Sequence, residues 1–455
     1  MAYMQVCAST SGFVSHLYVV IGDRYLYLLL VDADFDTAVS SSDYLRVFIP
    51  VDFSIDNIDD ALKEIISAWQ KEIGREIIDC TSDVCLLSPS KDGVGGATFI
   101  VSESHYKDGL RSSLLGTEAI KVSSDSVVRS MPGLLDLLSC TDIILVLLNW
   151  DKISVFVLES GGPVTDSDSS SDVNPGVKVK EFSIEWNGDV QKVVPSLHNV
   201  IGINQNTSDL ENMLLNIFTS QPCSNTSSEV EDVMRAYVTS SLFNLQDDCF
   251  QRFGMTTGDA NLLITGDLAS VVPDDQLILA VIDGLQLRGR YEIFVDTENR
   301  GVVNFIPVGK KVFPCPIREI YPAGYSYVST EKGGSGKMGR EAFQGKIEYI
   351  SREDDSKSGV IRQKKENMNY FVGQVGHIYT YDLDGVGKVM LKPAKDVYFP
   401  NLVKDGKYLS FDVYDNVDQM IVDCRAIPVV YGPDYEANHA RLAQWKSGLS
   451  PVRPG

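Results

Sequence analysis

The sequence is short of the residues that mark a conspicuous chemical site. Its five histidines, His16, His105, His198, His377 and His439, stand far apart. None forms the H-x-x-x-H pair that grips a metal from one helix face, so each reads as an ordinary core or surface histidine. No Gly-x-Ser-x-Gly turn presents a nucleophile. The eight cysteines (Cys7, Cys80, Cys85, Cys140, Cys223, Cys249, Cys315 and Cys424) contain no C-x-x-C pair, and no histidine lies near Cys80 and Cys85. That spacing excludes the common zinc and redox patterns and leaves reduced, structural thiols. A chain of 455 residues has enough core to do without a disulfide framework. No apolar run reaches the roughly 18 residues a membrane helix needs. The longest, Tyr25–Val31 and Ile143–Leu148, are strand-sized. The N-terminus lacks the basic patch and apolar stretch of a signal peptide. The expected location is the cytoplasm.

Positive charge is also scarce. Asp and Glu number 62 against 40 Lys and Arg, a formal net charge of −22. Such a surface repels phosphate backbones and anionic headgroups, so the expected partners are proteins, with no nucleic acid and no direct membrane insertion.

What is present is a repeated order of elements. Strand-like runs at Val14–Ile21, Tyr25–Val31 and Leu45–Val51 are followed by a helix with Asp56 expected as its N-cap and Asp59 in its first turn. Ile58, Leu62, Ile65, Trp69 and Ile73 recur at helical spacing, and Gly74 stops the helix. A short strand is expected at Val84–Ser88, then a helix within 123–140 bent or started at Pro132. The order then recurs. Ile143–Leu148 turns through Asn149-Trp150-Asp151 into Ile153–Glu159, and Val177–Trp186 follows an acidic, Ser-rich loop read as a solvated insertion. Helices at Asp209–Phe218 and Glu229–Phe250, a strand "NLLITG", a helix at Asp275–Leu287 and a strand "YEIFVD" complete the second copy. A unit of three strands, helix and strand therefore occurs twice, which is the plan of the actin-like and sugar-kinase superfamily.

The expected fold class is α/β: duplicated ribonuclease-H-like subdomains followed by a β-rich domain and a C-terminal helix. The boundaries fall at 12–141 and 142–310 for the two subdomains, 311–432 for the short-stranded, turn-rich region, and 433–455 for the helix and tail. In that last helix Tyr435, Leu442 and Trp445 fall on one face.

Two blocks carry a closer likeness. "LLITGDLASVVPDDQLILAVIDGLQLRGRYEIFVDTENRG" resembles the end of the actin-like domain in glutamate-mutase accessory proteins, through Thr265, Gly266, Ile282 to Gln286, and Asp296. "IVDCRAIPVVYGPDYEANHARLAQW" is similar to the same family's tail, with Asp423, Arg425, Pro428, Arg441, Leu442 and Trp445 on its pattern. "YFPNLVKDGKYLSFDV" looks like its β-domain. The actin-like assembly protein of type IV pili belongs to the same wider superfamily. The resemblance implies a cleft holding ATP between three loops.

Each loop departs from what that resemblance implies. The first phosphate loop wants Asp-x-Gly, the Asp for Mg²⁺-bound water and the Gly for close backbone approach. Here the stretch is Val20-Ile21-Gly22, followed by Asp23. The second wants an Asp followed by glycines, and this chain has Asn149-Trp150-Asp151. The adenosine loop wants Gly-Gly, and this chain has Gly266-Asp267. Gly22, Asp23, Asn149, Asp151, Gly266 and Asp267 thus mark a degenerate nucleotide site in which Trp150, if buried, fills space a phosphate needs. The expected function is a non-catalytic actin-like scaffold or accessory protein, with no resident cofactor. The alternative is a nucleotide-dependent chaperone-like ATPase, of the mutase-accessory or pilus-assembly type, holding Mg²⁺·ATP through Asp23, Asp151 and Asp267. Self-association into a filament is a third reading.

Two glycine-rich features carry less. "EKGGSGKMG", Glu331–Gly339, has Glu331 and Met338 where a P-loop needs Gly and a hydroxyl, and reads as a surface loop. Lys388, beside Gly387, is the nearest match to a carrier lysine at a hairpin tip, without the flanking residues such a tip requires.

Overall fold

A computed structural model describes residues 14–33, 40–49, 53–79, 86–87, 94–124, 142–150, 152–160, 177–186, 190–197, 206–219, 228–253, 258–269, 271–296, 323–332, 339–355, 360–400, 408–413, 417–425 and 434–452, with isolated positions 126–128, 131, 200, 427, 429 and 431. The chain divides into two compact units, 1–133 with 300–320, and 134–299 with 321–455. No helix among the described residues is long and apolar enough to cross a membrane.

In the first unit, β1 (Val14–Ile21) and β2 (Tyr25–Ala33) form a hairpin, and β3 (Ser40–Phe48) pairs antiparallel with β2. The helix α1 (Ile58–Ile73) follows, then a two-stranded ladder of β4 (Ile78–Asp79) and β5 (Leu86–Leu87). Next come β6 (Val94–Ser102), β7 (Arg111–Ser112) and β8 (Thr117–Val122). The sheet order is β3-β2-β1-β6-β8-β7, with β1, β6 and β8 parallel. Strand alternation sends Leu17, Val19 and Ile21 of β1 and Leu26, Leu28 and Leu30 of β2 into one core with Ile58, Leu62, Ile66 and Trp69 of α1. The helical face centres on Ile66, with Ile65 and Ile73 packed at its margin.

Three expectations are corrected here. The fourth strand of this copy is Val94–Ser102, and Leu86–Leu87 contribute only the short β5. The sequence "VGGATFIVS" carries two glycines, which dilute the strand signal. Gly96 packs closely on the neighbouring strand, since a Cβ there would stand 3.3 Å from the His16 ring. Asp56 is not the helix cap: it sits in a single 3₁₀ turn, Ile55–Asn57, and its carboxylate pairs with Lys107 at 2.9 Å. Asp59 lies in the first turn of α1 as expected, and there accepts from Ser112 Oγ at 2.6 Å and Ser113 N at 2.9 Å. Finally, β3 begins at Ser40 and ends at Phe48, so the third strand lies earlier than Leu45–Val51. Most of the helix expected within 123–140 lies outside the described residues.

The second unit begins with β9 (Ile143–Leu148), β10 (Lys152–Ser160) and β11 (Val177–Glu185), antiparallel in series. Three helices follow: α2 (Val190–Leu197), α3 (Thr207–Thr219) and α4 (Ser228–Phe253). Pro195 hid α2 in the sequence. Then β12 (Gly258–Thr265), α5 (Asp274–Leu285) and β13 (Gly289–Val295) run on, with β12 parallel to both β9 and β13. The order β11-β10-β9-β12-β13 repeats β3-β2-β1-β6-β8 of the first unit, strand for strand and sense for sense. The fold is a duplicated ribonuclease-H-like, actin-like α/β plan. The middle of β9 is apolar on every residue, as suits a central strand covered on both faces.

Residues assigned from sequence to a β-rich region extend this sheet as well as building their own. The strands β14 (Ala323–Ser329), β18 (Ile378–Asp382) and β22 (Gln419–Asp423) continue it beyond β13 in the order β14-β22-β18, giving eight strands. A second sheet, β17-β16-β19-β21, is built from β16 (Glu341–Asp355), β17 (Val360–Gln374), β19 (Val386–Pro393) and β21 (Leu409–Asp412). The short β15 (Glu331–Lys332) and β20 (Val397–Tyr398) pair with each other. The helix α6 (Tyr435–Leu449) is capped by Asp434, whose carboxylate accepts from Ala437 N at 3.0 Å, and it packs on β18. Gly448 lets it do so: a Cβ there would lie 2.1 Å from the Ile378 carbonyl oxygen.

The β16–β17 pair is locked by two reciprocal Phe–Gly contacts. Phe343 faces Gly373 and Phe371 faces Gly345 across the ladder, the two rings edge to face at 5.7 Å. Each glycine leaves the space its partner's ring fills, since a Cβ on either would come within 2.1 Å of that ring. Gly373→Ala should therefore destabilise the second unit by about 1–3 kcal/mol through overpacking, read as a lower urea midpoint. An unchanged midpoint would contradict the interlock. In the first unit, burial lowers the His16 pKa from 6.5 to about 4, and its Nε2 lies 2.8 Å from Thr98 Oγ1. The unfolded chain binds this proton from pH 6.5 downward and the folded chain only near pH 4. Stability is thus complete above that window and falls as pH drops through it. Comparing wild type with His16→Gln across it should show a smaller acid loss in the variant, by up to about 3 kcal/mol.

Candidate functional site

The first candidate turn closes the β1–β2 hairpin, with Gly22 N donating to the Tyr25 carbonyl at 2.8 Å. Val20, in the place of the acid that the resemblance calls for, is buried in β1. The Asp23 carboxylate accepts from Ser104 Oγ at 2.7 Å, and Ser104 in turn lies 2.8 Å from Ser102 Oγ. His105 Nε2 stands 3.1 Å from the Asp23 carbonyl oxygen. Asp23 therefore clasps the hairpin turn to the segment that follows β6.

The other two turns lie in the second unit. Asn149 N donates to the Lys152 carbonyl at 3.1 Å, closing the β9–β10 turn. Trp150 is not an exposed tip but a core residue. Its ring meets Phe218 of α3 edge to face at 5.5 Å, and its carbonyl accepts from Tyr237 Oη of α4 at 2.8 Å. Lys152 is tied to Glu181 at 2.8 Å. Asp151 lies outside the described residues.

The turn after β12 is fastened to the end of β9. Gly266 has φ +112°, and a Cβ on it would stand 2.6 Å from the Leu148 carbonyl oxygen. Leu268 N donates to that same oxygen at 2.9 Å. Glycine is obligatory here on two counts, its conformation and its contact. Asp267 is buried, and Thr265 Oγ1 donates to Asp296 at 2.6 Å. The structure thus brings Asn149, Gly266 and Asp267 together around Leu148, while Gly22 and Asp23 belong to the other unit. No group of three His, Cys, Asp or Glu able to hold a metal occurs among the described residues.

Of the two glycine-rich features, only the one at Lys388 falls fully among the described residues. Lys337 lies outside the described residues. Lys388 is not at a hairpin tip: it sits within β19, opposite Glu348 and Asp412.

Sequence reasoning misses a buried polar cluster, although Asp283, Asp423, Arg425 and Trp445 all stand in the two resembling blocks. The two blocks that carry the resemblance meet in space. The fully buried Arg425 guanidinium binds Asp423 through Nε at 3.0 Å and a terminal nitrogen at 2.7 Å, and the same nitrogen stands 2.8 Å from Asp283 of α5. The Asp283 contact is an ion pair rather than a well-directed hydrogen bond, since that carboxylate oxygen has no hydrogen-bond partner. Tyr431 Oη donates to the other Asp283 oxygen at 2.5 Å, and Tyr327 Oη to Asp423 at 3.2 Å. The Trp445 ring of α6 covers the guanidinium at 4.7 Å. Burial alone would lower the Arg425 pKa, but Asp283 and Asp423 raise it well above its ordinary value. Burial, then Asp283, pushes the Tyr431 hydroxyl up, so it stays a donor.

The neighbouring residues of "IDGLQ" have distinct tasks. Gly284 lets α5 approach α4 so closely that a Cβ would meet Leu242 at 2.6 Å. Gln286 ends α5 in a left-handed conformation, and its side-chain oxygen accepts from Val429 N at 2.5 Å. A signal was available: Asp, Arg and Gln at apolar-flanked positions are seldom buried unless paired.

No protein-family model and no curated protein matches the sequence. Similar solved structures include the ethanolamine utilization protein EutJ from Carboxydothermus hydrogenoformans, at 12% identity over 65% of this chain and 89% of that one, TM-score 0.33. A glucokinase from Balamuthia mandrillaris in complex with glucose aligns at 10% identity over 60% and 87%, TM-score 0.28. An exopolyphosphatase from Cytophaga hutchinsonii aligns at 8% over 55% and 66%, TM-score 0.26. Values this low carry no argument about chemistry, and the fold assignment rests on the two matching strand orders.

The turn geometry yields one test. Gly266→Ala would force an L side chain into a left-handed conformation and against the Leu148 backbone. It should cost about 3 kcal/mol or more, by strain and overpacking together, measured by chemical denaturation. Stability within about 0.5 kcal/mol of wild type would show that the two turns are not fastened as described.

Proposed function

We propose that the protein is a non-catalytic scaffold on an actin-like plan, one that holds or assembles a protein partner. The observation that carries this reading is Trp150. Where the resemblance calls for glycine, so that backbone N–H groups can reach a phosphate, the chain places an indole and spends it on the core formed with Phe218 and Tyr237. A tryptophan anchored this way holds the turn by packing, and the turn needs no ligand to keep its shape.

The commitment of Asp23 supports the same reading. One of its carboxylate oxygens is engaged within the first unit, accepting from Ser104 Oγ in the clasp on the segment after β6. The competing reading, a nucleotide-dependent chaperone-like ATPase of the mutase-accessory or pilus-assembly type, would use the second Asp23 oxygen for a Mg²⁺-bound water. It also gives Mg²⁺ duties to Asp151 and Asp267.

Isothermal titration of the full chain with ATP and Mg²⁺, paired with denaturation midpoints in millimolar nucleotide, separates the two. The scaffold reading predicts no saturable heat and an unmoved midpoint. A ligand bound only by the native state at a hundredfold excess over its Kd would add about 2.7 kcal/mol of stability. A shift of that order would establish nucleotide binding and remove the scaffold proposal.

A further inference from the structure

We draw no further inference here: the strongest candidate, the surface patch at Tyr370 and Val372 on the edge strand β17 of the four-stranded sheet, carries nothing because lysines and acids mix on that face and nothing in the structure shows what covers it.

Discussion

The second unit depends on one buried charge arrangement, Arg425 held between Asp423 and Asp283. Taking three charges from water is expensive, and the mutual attraction offsets this only where every donor and acceptor is engaged. Most are: Tyr327 and Tyr431 serve the carboxylates, and the Trp445 ring covers the cation. What the arrangement contributes is specificity. Asp283 lies on α5, between β12 and β13 of the duplicated plan, whereas Asp423 and Arg425 end a strand far along the chain. The cluster fixes how the C-terminal strands and α6 are attached to the ribonuclease-H-like sheet. Gln286, the cap of α5, binds the backbone at Val429 and holds the same junction.

The same economy explains how the candidate nucleotide turns keep their shape. Each is fixed by interactions within its own unit: Asp23 by Ser104, Trp150 by Phe218 and Tyr237, Gly266 by the Leu148 backbone. A fold carried by packing and backbone contacts can keep its surfaces for other work after the phosphate-gripping side chains have changed, because fold and function are set by different residues. The four-stranded sheet is carried in this way. Its inward side is locked by the Phe343–Gly373 and Phe371–Gly345 contacts, so its outward residues sit on a rigid platform.

Much of the architecture was legible in the sequence, because the duplicated order of strands is written in apolar periodicity. The strand runs at 14–21 and 143–148 and the helix stopped by Gly74 are of this kind. What failed did so for local reasons. The glycines of β6 and the proline of α2 mask elements whose stability comes from tertiary contacts. Asp56 resembles a cap because caps and turns use the same residue types, and its pairing with Lys107 is a contact 51 positions distant. At the candidate site the sequence marks where the turns fall but not what their side chains touch. Trp150 could point outward or inward, and only the surrounding α3 and α4 decide. The Asp283–Arg425 cluster shows the limit most clearly. Its residues stand out as a pattern, yet their joint role appears only when segments about 140 positions apart are brought together.

The most direct test of the account is a double-mutant cycle on Asp283→Asn and Arg425→Gln, with unfolding free energies from urea denaturation of the full chain. If the pair joins the C-terminal segment to the duplicated fold, the two changes should be strongly non-additive, with a coupling energy of about 1.5–3 kcal/mol. Additivity within about 0.5 kcal/mol would mean that the two groups act independently and that the junction is held by something else.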